Sequence, residues 1–232
     1  NKMLAAGARY ICVAYPGMEQ FFPASKVILT GNPIRKDIRP ASEQEKKEAL
    51  LHFGLDPGKR TLLITGGSLG AGTLNRCVRE YLPRSGDHSV QILWQCGKNG
   101  LSLAEEALKE HPGVPVFVHE FIARMDLAYA AADVVVSRAG AGSISEFCAA
   151  GKACIFVPSP NVAEDHQTHN ALALVKENAG WMVTDKDAPV SLMEKALELI
   201  FNDSQRQRLS ANILKLSRPH AAEQIASLLL EL

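Results

Sequence analysis

The 232-residue sequence contains no run of about 18 apolar residues, the length a membrane-crossing helix needs, and no basic, apolar, small-residue leader at its start. It also lacks an excess of charge. Lys and Arg number 25 and Asp and Glu number 25, so no overall field attracts a polyanion, and nucleic acid is not an expected partner. The five cysteines (Cys12, Cys77, Cys96, Cys148 and Cys154) include no C-x-x-C pair, and most lie in apolar runs, where a thiol behaves as a small hydrophobe. A reducing cytoplasm is the simple reading. No internal repeat, low-complexity tract or zinc-type Cys/His set occurs, and no cofactor is expected. At 47% hydrophobic and 22% charged residues the composition is that of a folded chain with one main core.

From Thr61 onward a pattern repeats: a short apolar run, a glycine or polar turn, then a segment with helical spacing. The runs are Thr61–Thr65, Val90–Gln95, Val114–His119, Asp133–Ser137, Ala153–Val157 and Gly180–Val183. They are continuous rather than alternating, which suits strands buried on both faces, and the intervals are long enough for crossover helices. The expected fold is α/β, a Rossmann-like doubly wound parallel sheet. Upstream, Ser42 and Glu45 form a capping box opening a helix that Gly54 closes, and this segment reads as a linker helix. Before it, Ile11–Ala14 and Val27–Leu29 are short strands around Pro16, Gly17 and Pro23. Two strands do not make a stable sheet alone. This stretch therefore reads as the tail of a preceding domain, with Asn1 an artificial or proteolytic boundary. At the other end, Ser204–Leu216 and Ala221–Leu232 read as helices separated at Pro219.

Two glycine-rich turns stand between strand and helix. The first is Gly66-Gly67-Ser68-Leu69-Gly70-Ala71. Glycine admits close approach of a ligand to the backbone, and the free amides of a helix N-terminus favour anions such as phosphate; a plain tight turn has the same appearance. No G-K-[ST] follows, so it is not a P-loop. The second runs from Ser137 to Glu146 (SRAGAGSISE). Two such turns at the carboxyl ends of parallel strands place two helix N-termini on one edge of the sheet, where a diphosphate fits. Glu146 has two readings: with Ser143 it forms a capping box, or it accepts hydrogen bonds from a ribose diol. A third polar loop, Pro158–Asn170, carries amide and imidazole side chains suited to sugar hydroxyls, Gln167 among them. Asp165, His166 and His169 lack a clear third partner, and no metal site is assigned to them.

In order and spacing, Gly31-Asn32-Pro33-Ile34-Arg35, the GGSLGA and SRAGAGSISE turns and the Asp165–Ala171 run (DHQTHNA) resemble the MurG family over nearly the whole chain. Those enzymes are GT-B glycosyltransferases that move N-acetylglucosamine from UDP-GlcNAc to undecaprenyl-pyrophosphoryl-muramyl-pentapeptide in peptidoglycan synthesis. The resemblance implies that residues 1–33 are the remnant of an acceptor domain. It makes 34–216 the UDP-GlcNAc-binding domain and 217–232 a helix that packs back on the acceptor domain. It assigns Glu146 to the ribose hydroxyls, the Ile122 backbone to uracil, and Ser68 with Ala141, Gly142, Ser143, Ile144 and Ser145 to the diphosphate. Gln167 is assigned to the GlcNAc hydroxyls and Arg35 to the donor site near the hinge. Leu69 stands where the family carries glutamine. The family's glycine-rich N-terminal loop, with its candidate base, has no counterpart in these residues, so no catalytic residue is assigned.

The resemblance further implies an inverting hexosyl transfer and no metal. It implies a lipid-linked acceptor bound through the other domain, and a peripheral place on the cytoplasmic face of the bacterial inner membrane, the fragment itself being soluble. The alternatives are another GT-B enzyme of UDP-sugars, such as a UDP-GlcNAc 2-epimerase or a glycolipid transferase, and a non-catalytic donor-binding subunit that needs a partner chain.

Overall fold

A computed structural model describes residues 2–15, 17–84 and 89–231. Asn1, Pro16 and Leu232, each of which carries an expectation above, lie outside the described residues. After a short helix α1 (Lys2–Ala5) come two strands, β1 (Ile11–Val13) and β2 (Val27–Leu29), paired in parallel. Then follow α2 (Glu43–His52), β3 (Arg60–Thr65), α3 (Gly72–Tyr81), β4 (Val90–Gln95), α4 (Leu101–Glu110), β5 (Val116–His119) and α5 (Met125–Ala131). The remainder is β6 (Val134–Ser137), α6 (Ala141–Ala150), β7 (Cys154–Phe156), α7 (His166–Lys176), β8 (Trp181–Met182), α8 (Ala188–Phe201), α9 (Asp203–Lys215) and α10 (Ala221–Leu230).

Strands β3 to β8 form one parallel sheet in the order β5-β4-β3-β6-β7-β8. The chain winds outward from β3 to β5, crosses back, and winds outward again from β6. The order therefore reverses between β3 and β6, and in open α/β sheets ligands bind above such a reversal at the carboxyl ends of the strands. Continuous apolar runs become strands here because both faces of the sheet are covered. Leu63, Leu93 and Val135 face a core shared with α2, α5, α6 and α7. Their neighbours Leu62, Ile64, Ile92, Trp94 and Val136 face a second core shared with α3, α4 and α8.

Four of the six strands are shorter than their apolar runs. The run at Val114 pairs only from Val116, because Pro115 has no N–H for the ladder and offers only its carbonyl, which accepts from Ile92 N–H at 2.9 Å. The runs Ala153–Val157 and Gly180–Val183 contract to three and two residues.

The reading of residues 42–54 as a linker requires correction. The Ser42/Glu45 capping box is present in both directions, but α2 is a covering helix of the sheet. Ala49, Leu50 and Phe53 are buried in the first core. Lys46 pairs with Asp133 at 2.7 Å, while the other oxygen of Asp133 accepts the Thr61 N–H at 2.8 Å. Burying Ala49, Leu50 and Phe53 against the sheet removes their apolar surface from water, which a bridging linker would leave exposed.

The C-terminal helix makes a different kind of contact. Arg218 and Ala221 lie over Gly31, just past β2, and Lys36 pairs with Glu223 at 3.1 Å. Only Ala221 of α10 is buried. Ile225 and Leu228 are half-buried, whereas Leu229 is 63% and Leu230 90% exposed. These side chains form an apolar stripe on α10 that is mostly uncovered. Leu228→Glu with Leu229→Glu should shift thermal melting by no more than a surface change does, about 0.5 kcal/mol per site. A collapse of the melting temperature would show the stripe to be buried in solution.

Candidate functional site

The first glycine turn is built by two backbones pressed together. Gly70 has φ 83° and Gly97, just past β4, has φ 74°; a Cβ on Gly70 would lie 2.1 Å from the Cys96 carbonyl oxygen, and one on Gly97 2.0 Å from the Gly70 nitrogen. Glycine alone satisfies both the conformation and the spacing. The turn is fixed by Lys98 N–H on the Ser68 carbonyl (3.2 Å) and Gly70 N–H on the Gly67 carbonyl (3.0 Å). Beneath it the buried Asn75 donates to the Cys96 carbonyl (2.9 Å) and accepts from Trp94 Nε1 (3.0 Å), locking α3 to the end of β4. Ser68 and Leu69 are exposed at the rim. Helix α3 begins without a side-chain cap, its N-cap being Ala71.

The second turn, on the neighbouring strand, has the same character. Gly140 is the N-cap of α6 and no side chain caps it. The capping-box reading of Ser143 and Glu146 is therefore wrong: Ser143 is already the third helical residue and Glu146 the sixth, beyond reach of the cap. The run of small residues from Ala139 to Gly142 lets the helix start three residues earlier than the S-x-x-E pattern suggests. Glu146 instead accepts a 2.6 Å hydrogen bond from the Tyr129 hydroxyl on its Oε2. Burial and the adjacent Glu146 charge hold the Tyr129 phenol well above its ordinary pKa, so it remains a donor. The first-turn amides of α3 and α6 both open at the edge where the strand order reverses.

The loop before α6 is held from several sides. Arg138 reaches Asp185, beyond β8, at 2.5 Å, and the carbonyls of Val157 and Pro158 at 3.0 and 3.1 Å. Asp185 also accepts from Thr73 in the first turn of α3 at 3.0 Å. Gln167 uses its carboxamide oxygen to accept from the Ala139 and Ser159 N–H groups, at 3.2 and 2.9 Å. Asn170, one turn on, donates to the Ala139 carbonyl at 3.1 Å. Gln167 thus ties the β6 and β7 loops together and keeps its NH₂ end as a donor. Helix α7 is entered through Glu164 and Asp165, both in the left-handed region with φ 54° and 48°. Between this loop and the segment after β8 lies a cavity of about 400 Å³, bordered by Pro158, Asp165, Thr168 and Lys186. Among the described residues no group of three His, Cys, Asp or Glu is placed to hold a metal ion.

Ile122 is buried and gives its N–H to Gln95 Oε1 at a long 3.4 Å. Arg35, exposed, donates to the carbonyl of the next residue, Ala123, at 3.1 Å and lies 3.6 Å from Asp37. The structure therefore brings Arg35 beside Ile122. It groups Ala141, Gly142, Ser143, Ile144, Ser145 and Glu146 on one helix end, joins Gln167 to the loop before that helix, and puts Ser68 on the adjacent strand's turn. Asn75, Gln95, Tyr129 and Asp185 were not singled out from sequence. A polar residue inside an apolar helical face is the one signal that marks Asn75; the others act through partners distant in the chain.

Residues 61–225 match the model of the glycosyltransferase family 28 C-terminal domain. A UDP-N-acetylglucosamine--N-acetylmuramyl-(pentapeptide) pyrophosphoryl-undecaprenol N-acetylglucosamine transferase of Parabacteroides distasonis is 52% identical over 97% of this chain and 61% of its own length. A transferase of the same name from Cytophaga hutchinsonii is 50% identical over 100% and 62%. The crystal structure of Acinetobacter baumannii MurG superposes with a TM-score of 0.77 at 26% identity, covering 99% of this chain and 62% of that one. The chain thus spans about three fifths of the length of these relatives.

Proposed function

This chain belongs to glycosyltransferase family 28, and from that premise we propose that it is the UDP-GlcNAc-binding part of an enzyme that transfers N-acetylglucosamine to undecaprenyl-pyrophosphoryl-muramyl-pentapeptide. The observation that carries the reading is the pair of uncapped helix N-termini on adjacent strands at the reversal of the sheet, with Glu146 one turn further along α6. Such a frame fits a nucleoside diphosphate: amides for the phosphates, a carboxylate for the ribose diol. The names of the relatives, which specify the same transfer, support the choice of sugar and acceptor over an epimerase or another glycolipid transferase.

In this reading Ser68 and the turn of Ala141, Gly142, Ser143, Ile144 and Ser145 surround the diphosphate, and Glu146 takes the ribose hydroxyls. Uracil meets the Ile122 backbone, where it competes with Gln95 for the N–H. The free NH₂ of Gln167 meets the sugar hydroxyls, with Arg35 on the hinge side. Departure of UDP develops negative charge, and preorganised amides with two helix dipoles meet that charge without moving. The acceptor hydroxyl and its base belong to the part of such an enzyme that this chain does not match. Residues 1–33 are its tail, 34–216 the donor domain and 217–232 a helix that returns to it. The whole enzyme sits peripherally on the cytoplasmic face of the inner membrane, where its lipid acceptor lies.

Calorimetry with the 232-residue chain should show binding of UDP and UDP-GlcNAc, while a radiolabel assay with lipid acceptor should show no transfer. Failure to bind UDP would overturn the site; sustained turnover by this chain alone would overturn the division of labour.

A further inference from the structure

One carbonyl at the donor edge is loaded by side chains from the far end of the chain. The carbonyl of Ala141, first residue of α6, accepts from Tyr15 Oη at 3.2 Å, from Asn32 Nδ2 at 3.3 Å and from Ser145 Oγ at 3.0 Å. In a regular helix it already takes the Ser145 N–H. Asn32 Nδ2 also reaches Ser145 Oγ at 3.1 Å. Tyr15 follows β1 and Asn32 follows β2, so the two-stranded unit is seated on α6 at this atom. Burial and the neighbouring Cys148 push the Tyr15 phenol up to about 12, which keeps its O–H a donor across the working pH range.

The Ala141 carbonyl and the Gly142 N–H are the two ends of one peptide group. Hydrogen bonds received at the oxygen polarise that group and strengthen what its N–H donates, by about 10–30% per bond. Gly142 is exposed and is the second residue of α6, whose N-terminus no side chain caps, so its N–H is one of the first-turn amides without an intrahelical acceptor that were assigned above to the diphosphate.

We propose that Tyr15 and Asn32 are positioning residues for the diphosphate. They act through the Ala141–Gly142 peptide, so that the strength of the Gly142 contact depends on how the β1–β2 unit is seated. The inference rests on the donor-site reading and deepens it: a displacement of the β1–β2 unit is felt as a weaker grip on the phosphates, with no residue of that unit touching them.

The test uses the full 232-residue chain and the variants Tyr15→Phe, Asn32→Leu and both together. UDP affinity by calorimetry should fall about two-fold for each single variant and about four-fold for the double. Uridine affinity, followed by NMR, should stay unchanged, and the Gly142 amide proton should move upfield in each variant before ligand is added. Equal UDP affinity in parent and double variant would overturn the proposal, as would parallel losses of UDP and uridine or an unmoved Gly142 resonance. Should Asn32→Leu disturb folding, Tyr15→Phe removes a single oxygen and carries the test alone. A parent chain that binds no UDP sinks the donor-site reading together with this inference. A parent that binds it, with indifferent variants, sinks the inference only.

Discussion

Glu146→Gln should weaken UDP by about ten- to a hundredfold while leaving inorganic pyrophosphate within about two-fold. A carboxylate that accepts from two ribose hydroxyls makes charge-assisted hydrogen bonds worth about 1.5–3 kcal/mol. The amide keeps the shape but loses the charge and one acceptor. Glu146 Oε2 is engaged by Tyr129 at 2.6 Å, so Oε1 is the atom left for a diol. Since Gly140, not Ser143, caps α6, loss of a helix cap does not enter the result. Tyr129→Phe is the companion variant: it keeps the carboxylate and frees its second oxygen, so it should cost UDP much less. If pyrophosphate weakens as much as UDP, or UDP is indifferent, Glu146 does not read the ribose.

The second large effect is on stability. Gly70→Ala should destabilise the chain by about 3 kcal/mol or more, whereas Gly67→Ala should cost about 1–2 kcal/mol. Both glycines have positive φ, 83° and 80°, so the conformational penalty is shared. They differ in space. A Cβ on Gly70 would stand 2.1 Å from the Cys96 carbonyl oxygen, a backbone atom that cannot step aside, while around Gly67 nothing lies within 4 Å. Chemical denaturation of the two variants separates the cases. Equal losses would mean that the turns after β3 and β4 are not pressed together in solution.

The features legible in the sequence were those whose cause is local. A strand buried on both faces shows itself as a continuous apolar run, and a strand-to-helix turn as a cluster of glycines, so the doubly wound sheet and both turns could be read from residues alone. The capping box at Ser42 was also legible, because both partners lie within one turn. The same pattern at Ser143 misled, since S-x-x-E does not say where the helix begins, and the small residues before it allowed an earlier start. Helix α2 was misread because its buried residues Ala49 and Leu50, with Phe53 just after it, are defined by a sheet that the chain has not yet written at that point. Tyr15 on Ala141, Asn32 on Ser145 and Asp185 on Arg138 join residues 126, 113 and 47 apart in sequence. No short window contains both members of such a pair.

The reversal of strand order also sets when the site can come into being. Pairs β3–β4 and β4–β5 join near neighbours, and loops of that length close at small entropic cost. The β3–β6 pair is different: Thr61 meets Asp133 across 72 residues, and only that pairing sets the two glycine turns side by side. A chain emerging from the ribosome can complete its first glycine turn, and the outward half of the sheet, while the second turn is still unattached. The proposed donor site is therefore an assembly of two halves joined through that one pairing, and no arrangement of the chain that lacks the central strand pair contains it.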